Sequence, residues 1–148
     1  MRRYLVNATY CIYLSDIGQL YFDKSIYTIQ DVVDEVKLER NIEINPSLVK
    51  SKKVNLQLKS NLLSNTDINL LQTAKAMDYI LVTDDKGLIA IAYHNGVHPL
   101  DSPHFIHRLL IENKWTKEKA INTLNQLKSF YNRKYIIEKV IKDIQNWG

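Results

Sequence analysis

Three carboxylates and one carboxamide stand where a chain delivers polar groups to the end of a sheet. Leu81-Val82-Thr83-Asp84-Asp85-Lys86-Gly87 turns an apolar run, Tyr79 to Val82, into a hydroxyl and two adjacent acids. Open α/β sheets build their sites in the crevice beyond the C-terminal ends of their strands. Two neighbouring carboxylates repel each other unless a cation or a donor holds them. Asn7 directly follows the strand-like Tyr4-Leu5-Val6. Asp67 opens a helix whose Leu70, Leu71 and Ala74, at i+3, i+4 and i+7, place it on the inward face. Glu35 lies beside the apolar stripe Ile29, Val32, Val33 and Val36. If these groups converge, three carboxylates and an amide oxygen make a hard pocket suited to Mg²⁺ or Mn²⁺. Such a pocket activates water and neutralises charge on a phosphate in transfer. Each acid also has a plainer role open to it: Asp84 as a helix cap, for instance, with Asp85 in the first turn.

The elements that must position these residues follow from periodicity. Tyr4 to Val6 reads as a strand, Tyr10 to Leu20 as a helix, and Ser25 to Ile29 as a short β segment. Gln30 to Glu39 is helical. Pro46 suits the first turn of a helix running toward Lys53. Val54 to Leu58 alternates as an edge strand does, Thr66 to Met77 is a helix, and Ile80 to Thr83 a strand. Gly87 to Asn95 is helical, ending at Gly96, and Val97 opens a last strand before Pro99. Three amphipathic helices follow, over 103–113, 117–131 and 135–147. Alternating strand and helix predicts a mostly parallel sheet covered on both faces, a three-layer α/β sandwich over residues 1–100. Residues 101–148 then form a helical extension packed on it.

Composition narrows the class. A chain of 148 residues with 45% hydrophobic and 24% charged residues fits one soluble globular domain. No run approaches the roughly 20 apolar residues of a membrane helix, and Met1-Arg2-Arg3 runs straight into a strand, so no membrane partner and a cytoplasmic location are expected. The lone Cys11 excludes an internal disulfide and a thiolate-rich metal site. The net charge of +4 permits a polyanionic partner. The four glycines are isolated, which argues against a phosphate-cradling loop.

Asn7-Ala8-Thr9, followed by a helix carrying Ile17-Gly18-Gln19-Leu20, resembles the opening motif of PIN-domain proteins. Val32-Val33-Asp34-Glu35-Val36 resembles their second motif, Thr66-Asp67 with Leu71 and Ala74 the third, and Leu81-Val82-Thr83-Asp84-Asp85 the fourth. The resemblance spans residues 3 to 98. It implies a PIN-like α/β sandwich and metal-dependent cleavage of RNA, as a toxin with a protein antitoxin or as an RNA-processing nuclease. The metal ligands it implies are Glu35, Asp67 and Asp85, with Asp84 in reserve, Asn7 at the first acidic position and Thr83 orienting the fourth acid. Active PIN nucleases mostly carry aspartate where this chain has Asn7; a subgroup opens with Asn-Ala-Thr. An amide lacks the charge that holds a divalent ion, so a weak or inactive PIN-like domain that binds RNA or protein is the competing expectation. A third is an unrelated α/β interaction module in which the acids are caps.

Other features carry less. His94, His98, His104 and His107 match no zinc module and read as surface or helix-end residues. Lys50, Lys52, Lys53 and Lys59 form a basic cluster that could meet RNA phosphates or simply be solvated. The C-terminal stripes are Phe105, Leu109 and Leu110, then Ala120, Leu124 and Leu127, then Ile136, Ile137, Val140, Ile141 and Ile144. They must be buried against the core or, in part, against a second protomer in a homodimer.

Overall fold

The computed structural model describes residues 2–58 and 63–147; Met1, Lys59 and Gly148 lie outside them. Five strands, β1 (Tyr4–Val6), β2 (Ile26–Thr28), β3 (Ser47–Leu48), β4 (Ile80–Val82) and β5 (Pro99–Leu100), form one sheet in the order β3-β2-β1-β4-β5. Every pairing is parallel; Tyr4, Leu5 and Val6 stand opposite Ile80, Leu81 and Val82. The two central strands are wholly buried. That is why they read as unbroken apolar runs rather than alternating ones.

Among the described residues seven helices accompany the sheet: α1 (Ala8–Asp16), α2 (Gln30–Arg40), α3 (Asn65–Met77), α4 (Lys86–His94), α5 (Ser102–Ile111), α6 (Lys117–Lys128) and α7 (Lys134–Gln145). Right-handed crossovers send α1 and α2 to one face and α3 and α4 to the other. α5 joins the face of α1, because the Phe105 ring meets Tyr4 of β1 at 4.9 Å and Tyr10 of α1 at 5.2 Å. α6 and α7 pack on α5 and on each other. Their stripes are spent there: Ala120, Leu124, Leu127, Ile137, Val140 and Ile144 are fully buried within the single chain. No helix among the described residues is long and apolar enough to cross a membrane.

Several boundaries differ from the sequence expectation. α1 starts at Ala8 and stops at Asp16, since Asn7 caps it and Gly18 turns the chain at φ +69°. The helix expected after Pro46 is instead β3, which pairs with β2 through Tyr27–Ser47 and Thr28–Leu48. The strand expected over Val54 to Leu58 has no ladder partner. Side chains serve its backbone: Gln72 donates to the Val54 carbonyl at 2.8 Å, and Asn95 accepts from Gln57 N–H at 2.7 Å. The last strand begins at Pro99 rather than Val97.

Candidate functional site

The sheet order places a topological switch point between β1 and β4. The chain leaves β1 toward β2 on one side, and leaves β4 toward β5 on the other. Ligands of open α/β sheets bind in the crevice at such a point, beyond the strand C-termini. Asn7 is the first residue past β1 and Thr83 the first past β4. They meet: Asn7 Nδ2 donates to Thr83 Oγ1 at 3.0 Å, and both residues are buried.

Asn7, Thr83 and Asp85 at this corner are each held by backbone N–H groups. Asn7 Oδ1 accepts the Ala8 N–H at 2.7 Å, capping α1. This contact fixes which amide end is which, because only an oxygen can accept there. Thr83 Oγ1 also accepts the Asp85 N–H at 3.2 Å, so it orients the fourth acid through the main chain. Asp85, not Asp84, is the N-cap of α4, its Oδ1 accepting from Leu88 N–H at 3.1 Å. A Cβ at Gly87 would lie 3.3 Å from that oxygen, so glycine keeps the approach to Asp85 open. Asp67 stands in the first turn of α3, where its N–H bonds to the Ser64 hydroxyl at 3.1 Å.

Electrostatics ties the acids together. Burial pushes the Asp67 carboxyl above its ordinary range, and the Asp85 charge pushes it further; donors from Ser64 and the Asn7 amide partly offset this. Burial also raises Glu35, followed by the charges of Glu39 and Asp67. Among the described residues, Glu35, Asp67 and Asp85 take part in no ion pair. Among the described residues the corner therefore holds carboxylates that no cationic side chain pairs with. Its donors are spread out: no three His, Cys, Asp or Glu side chains among the described residues are gathered closely enough to hold a metal ion.

Asp84 stands apart from this set, contrary to its expected part as a reserve ligand or cap. Its Oδ1 accepts from Ser102 N–H at 2.8 Å and from the Tyr131 hydroxyl at 2.6 Å, while Oδ2 takes the Ser102 hydroxyl. Its N–H donates to Thr9 Oγ1 and its carbonyl accepts from Arg133 Nη2, each at 3.0 Å. Burial raises its carboxyl, and the nearby acid that adds to this is Asp101. With both oxygens engaged, Asp84 ties the β4 tip to α5 and to the start of α7. Ser102, Tyr131 and Arg133 could not be found from sequence, being 18 to 49 positions away.

The histidines do not assemble. His104 Nδ1 lies 2.7 Å from Asp101 Oδ1, and His98, on the far side of β5, shares a cavity with both, yet no three such side chains among the described residues gather to make a metal site. Lys50, Lys52 and Lys53 are exposed.

No protein-family model matches this chain, and no curated protein does. Among solved structures it is similar to a PilT N-terminus domain protein from the hyperthermophilic archaeon Sulfolobus solfataricus. That likeness has a TM-score of 0.50 at 13% identity, covering 68% of this chain and 87% of the other. PilT N-terminus is the phrase abbreviated as PIN. The five-stranded parallel sheet, its helical layers and this likeness together give the chain a PIN-like α/β fold.

Proposed function

We propose that the corner is a weak divalent-cation site of a PIN-type ribonuclease, assembled only when an ion draws the separated carboxylates of Asp67, Asp85 and Glu35 together. The observation that carries this reading is the placement of Asp67 and Asp85 at the switch point, Asp67 half-buried and neither with an ion-pair partner among the described residues. Burial and then the Asp85 charge raise the Asp67 carboxyl, Asp67 in turn contributes to raising Glu35, and none of the three is ion-paired among the described residues. Carboxylate oxygens are the donors that Mg²⁺ and Mn²⁺ prefer. A bound ion would supply Lewis-acid stabilisation of charge developing on a phosphodiester.

The chain's own contribution is positional. Thr83 and Leu88 N–H fix Asp85 at the start of α4, and the unsubstituted Gly87 leaves that helix end approachable. A helix N-terminus favours an anion such as a phosphate. RNA as substrate, a toxin or processing role and a protein antitoxin rest on the motif resemblance alone.

A second reading is favoured by Asn7. Its oxygen already accepts the Ala8 N–H and its nitrogen faces Thr83, so it offers a cation at most one remaining lone pair and no charge. On that reading the domain binds RNA or protein without cutting. Calorimetry with Mn²⁺, beside RNA cleavage by the parent and by Asp85→Asn, tests both. The nuclease reading expects Mn²⁺ binding and cleavage in the parent, with both lost in the variant. RNA binding without Mn²⁺ uptake or cleavage would replace it with the second reading.

A further inference from the structure

At the opposite end of the sheet the chain collects positive charge. Arg2 and Arg3 lead into β1, His98 leads into β5, and Arg108 sits in the last turn of α5, which runs back along the sheet. Arg2, Arg3 and His98 line a cavity of about 470 Å³ together with Asp78 and Tyr79. Arg2 also borders a neighbouring groove of about 800 Å³, which it shares with Arg108, Ile111 and Lys114. The two hollows therefore meet at Arg2. Each is of a size that takes a small ligand or a piece of a polymer, roughly 300–1,000 Å³.

The acids lining this edge, Asp78 in the first hollow and Glu112 in the second, are outnumbered by Arg2, Arg3, Arg108 and Lys114. Glu112 receives the Tyr4 hydroxyl and pairs with Lys114 at 3.2 Å, and Lys114 also pairs with Asp23 at 3.0 Å. Arg2, Arg3 and Arg108 make no ion pair among the described residues. Burial, then the charges of Arg108 and Arg2, lower the His98 pKa, which places three basic groups within electrostatic reach of one another. Asp78 is the acid remaining in the first cavity. Like charges gathered around open space are relieved by an anion between them.

We propose that this edge is a binding surface for the phosphate backbone of a single RNA strand, with Arg2, Arg3 and Arg108 meeting successive phosphates across the two joined hollows. Arg2 and Arg3 line one hollow and Arg2 and Arg108 the next, so the positive charge extends over two adjoining hollows, which suits a polymer better than a lone anion. Ile111, 44% exposed in the second groove, offers an apolar face to a ribose or base. The choice of RNA over another polyanion rests on the ribonuclease reading; the surface itself lies away from the acidic corner and needs no metal.

Fluorescence anisotropy of a labelled single-stranded RNA in EDTA, at about 50 to 200 mM salt, measures this surface without cleavage. Arg2→Gln/Arg3→Gln should weaken binding about tenfold and reduce the salt slope by about 1.4, two contacts at roughly 0.7 each for a single strand. Arg108→Gln should weaken it further, read beside a thermal melt because Arg108 neighbours Tyr4. Asp85→Asn should bind RNA at least as tightly as the parent, which separates this surface from failure of the metal site. An unchanged affinity in Arg2→Gln/Arg3→Gln overturns the proposal. So does an equal loss in Lys134→Gln/Lys142→Gln on α7, or displacement of the RNA by polyglutamate at matched charge.

Discussion

Asn7 decides what the acidic corner can do. Its amide caps α1 with oxygen and presents nitrogen to Thr83, and it lies near enough to Asp67 to favour that carboxylate's charged form. The side chain thus partly does what a cation would do for Asp67. Asn7→Asp removes the donor and adds a charge. It should raise Mn²⁺ affinity while lowering the metal-free Tm by about 2–4 °C, as a loss of about 1 kcal/mol does in a chain of this size. Equal Mn²⁺ affinity in parent and variant would show that no ion contacts that position. The pH dependence has a definite sign. Asp67 and Glu35 are raised in the folded state, so their ionisation opposes folding, and that penalty disappears as pH falls through the folded values. Asp67→Asn should therefore melt higher than the parent at pH 7 without metal. The difference should vanish below the ordinary Asp value of 3.8, where both states are protonated. A difference independent of pH would assign the effect to packing. The places of Asn7 and Thr83 just past strand ends, and of Asp67 and Asp85 at helix starts, were legible in the sequence because each adjoins an apolar run or a helix start. Asp84 was not, because what holds it comes from α5 and the loop before α7.

At the scale of elements, the same contrast separates what periodicity can and cannot reveal. β1, β2, β4, α2, α3 and α4 came out nearly as the pattern of apolar residues required, since burial on fixed faces writes itself into the sequence. β3 did not, because an exposed two-residue edge strand is set by its neighbour β2 and not by its own side chains. The stretch around Val54 to Leu58 has the alternation of a strand, yet Gln72, Lys75 and Asn95 take its backbone groups in place of a ladder. The long-range tie with the largest consequence is Tyr131 to Asp84. Tyr131→Phe removes a hydrogen bond to a buried carboxyl, worth about 1.5–3 kcal/mol when the acceptor is charged, with packing conserved. Thermal denaturation should show a Tm lower by several degrees. Mn²⁺ affinity should stay close to that of the parent, because Asp85 keeps its own cap. A variant that melts with the parent would show that Ser102 alone satisfies Asp84.

The molecule as a whole is bound together by one hydrophobic cluster that runs from β1 through α7. Phe105 is its joint: a fully buried ring from the C-terminal third, set edge-on against Tyr4 and Tyr10 of the first motif. Tyr13 extends the seam to Tyr131 and Phe130, each at 5.7 Å. The helices after Leu100 therefore supply the inner lining of one face of the sheet, including the strand that ends at Asn7. A chain cut at Leu100 would leave Tyr4, Tyr10, Leu14 and the switch-point corner without their cover. Phe105→Ala in the full chain should cost about 3–5 kcal/mol, the usual range for emptying a buried aromatic position. The truncated chain should show strong dye binding to exposed apolar surface and aggregate in light scattering. The full chain should scatter without self-association through its C-terminal stripes, since those are already buried within the protomer. A truncated chain that stays monomeric and melts cooperatively would establish residues 1–100 as an independent unit, and the shared core would then be an accessory contact.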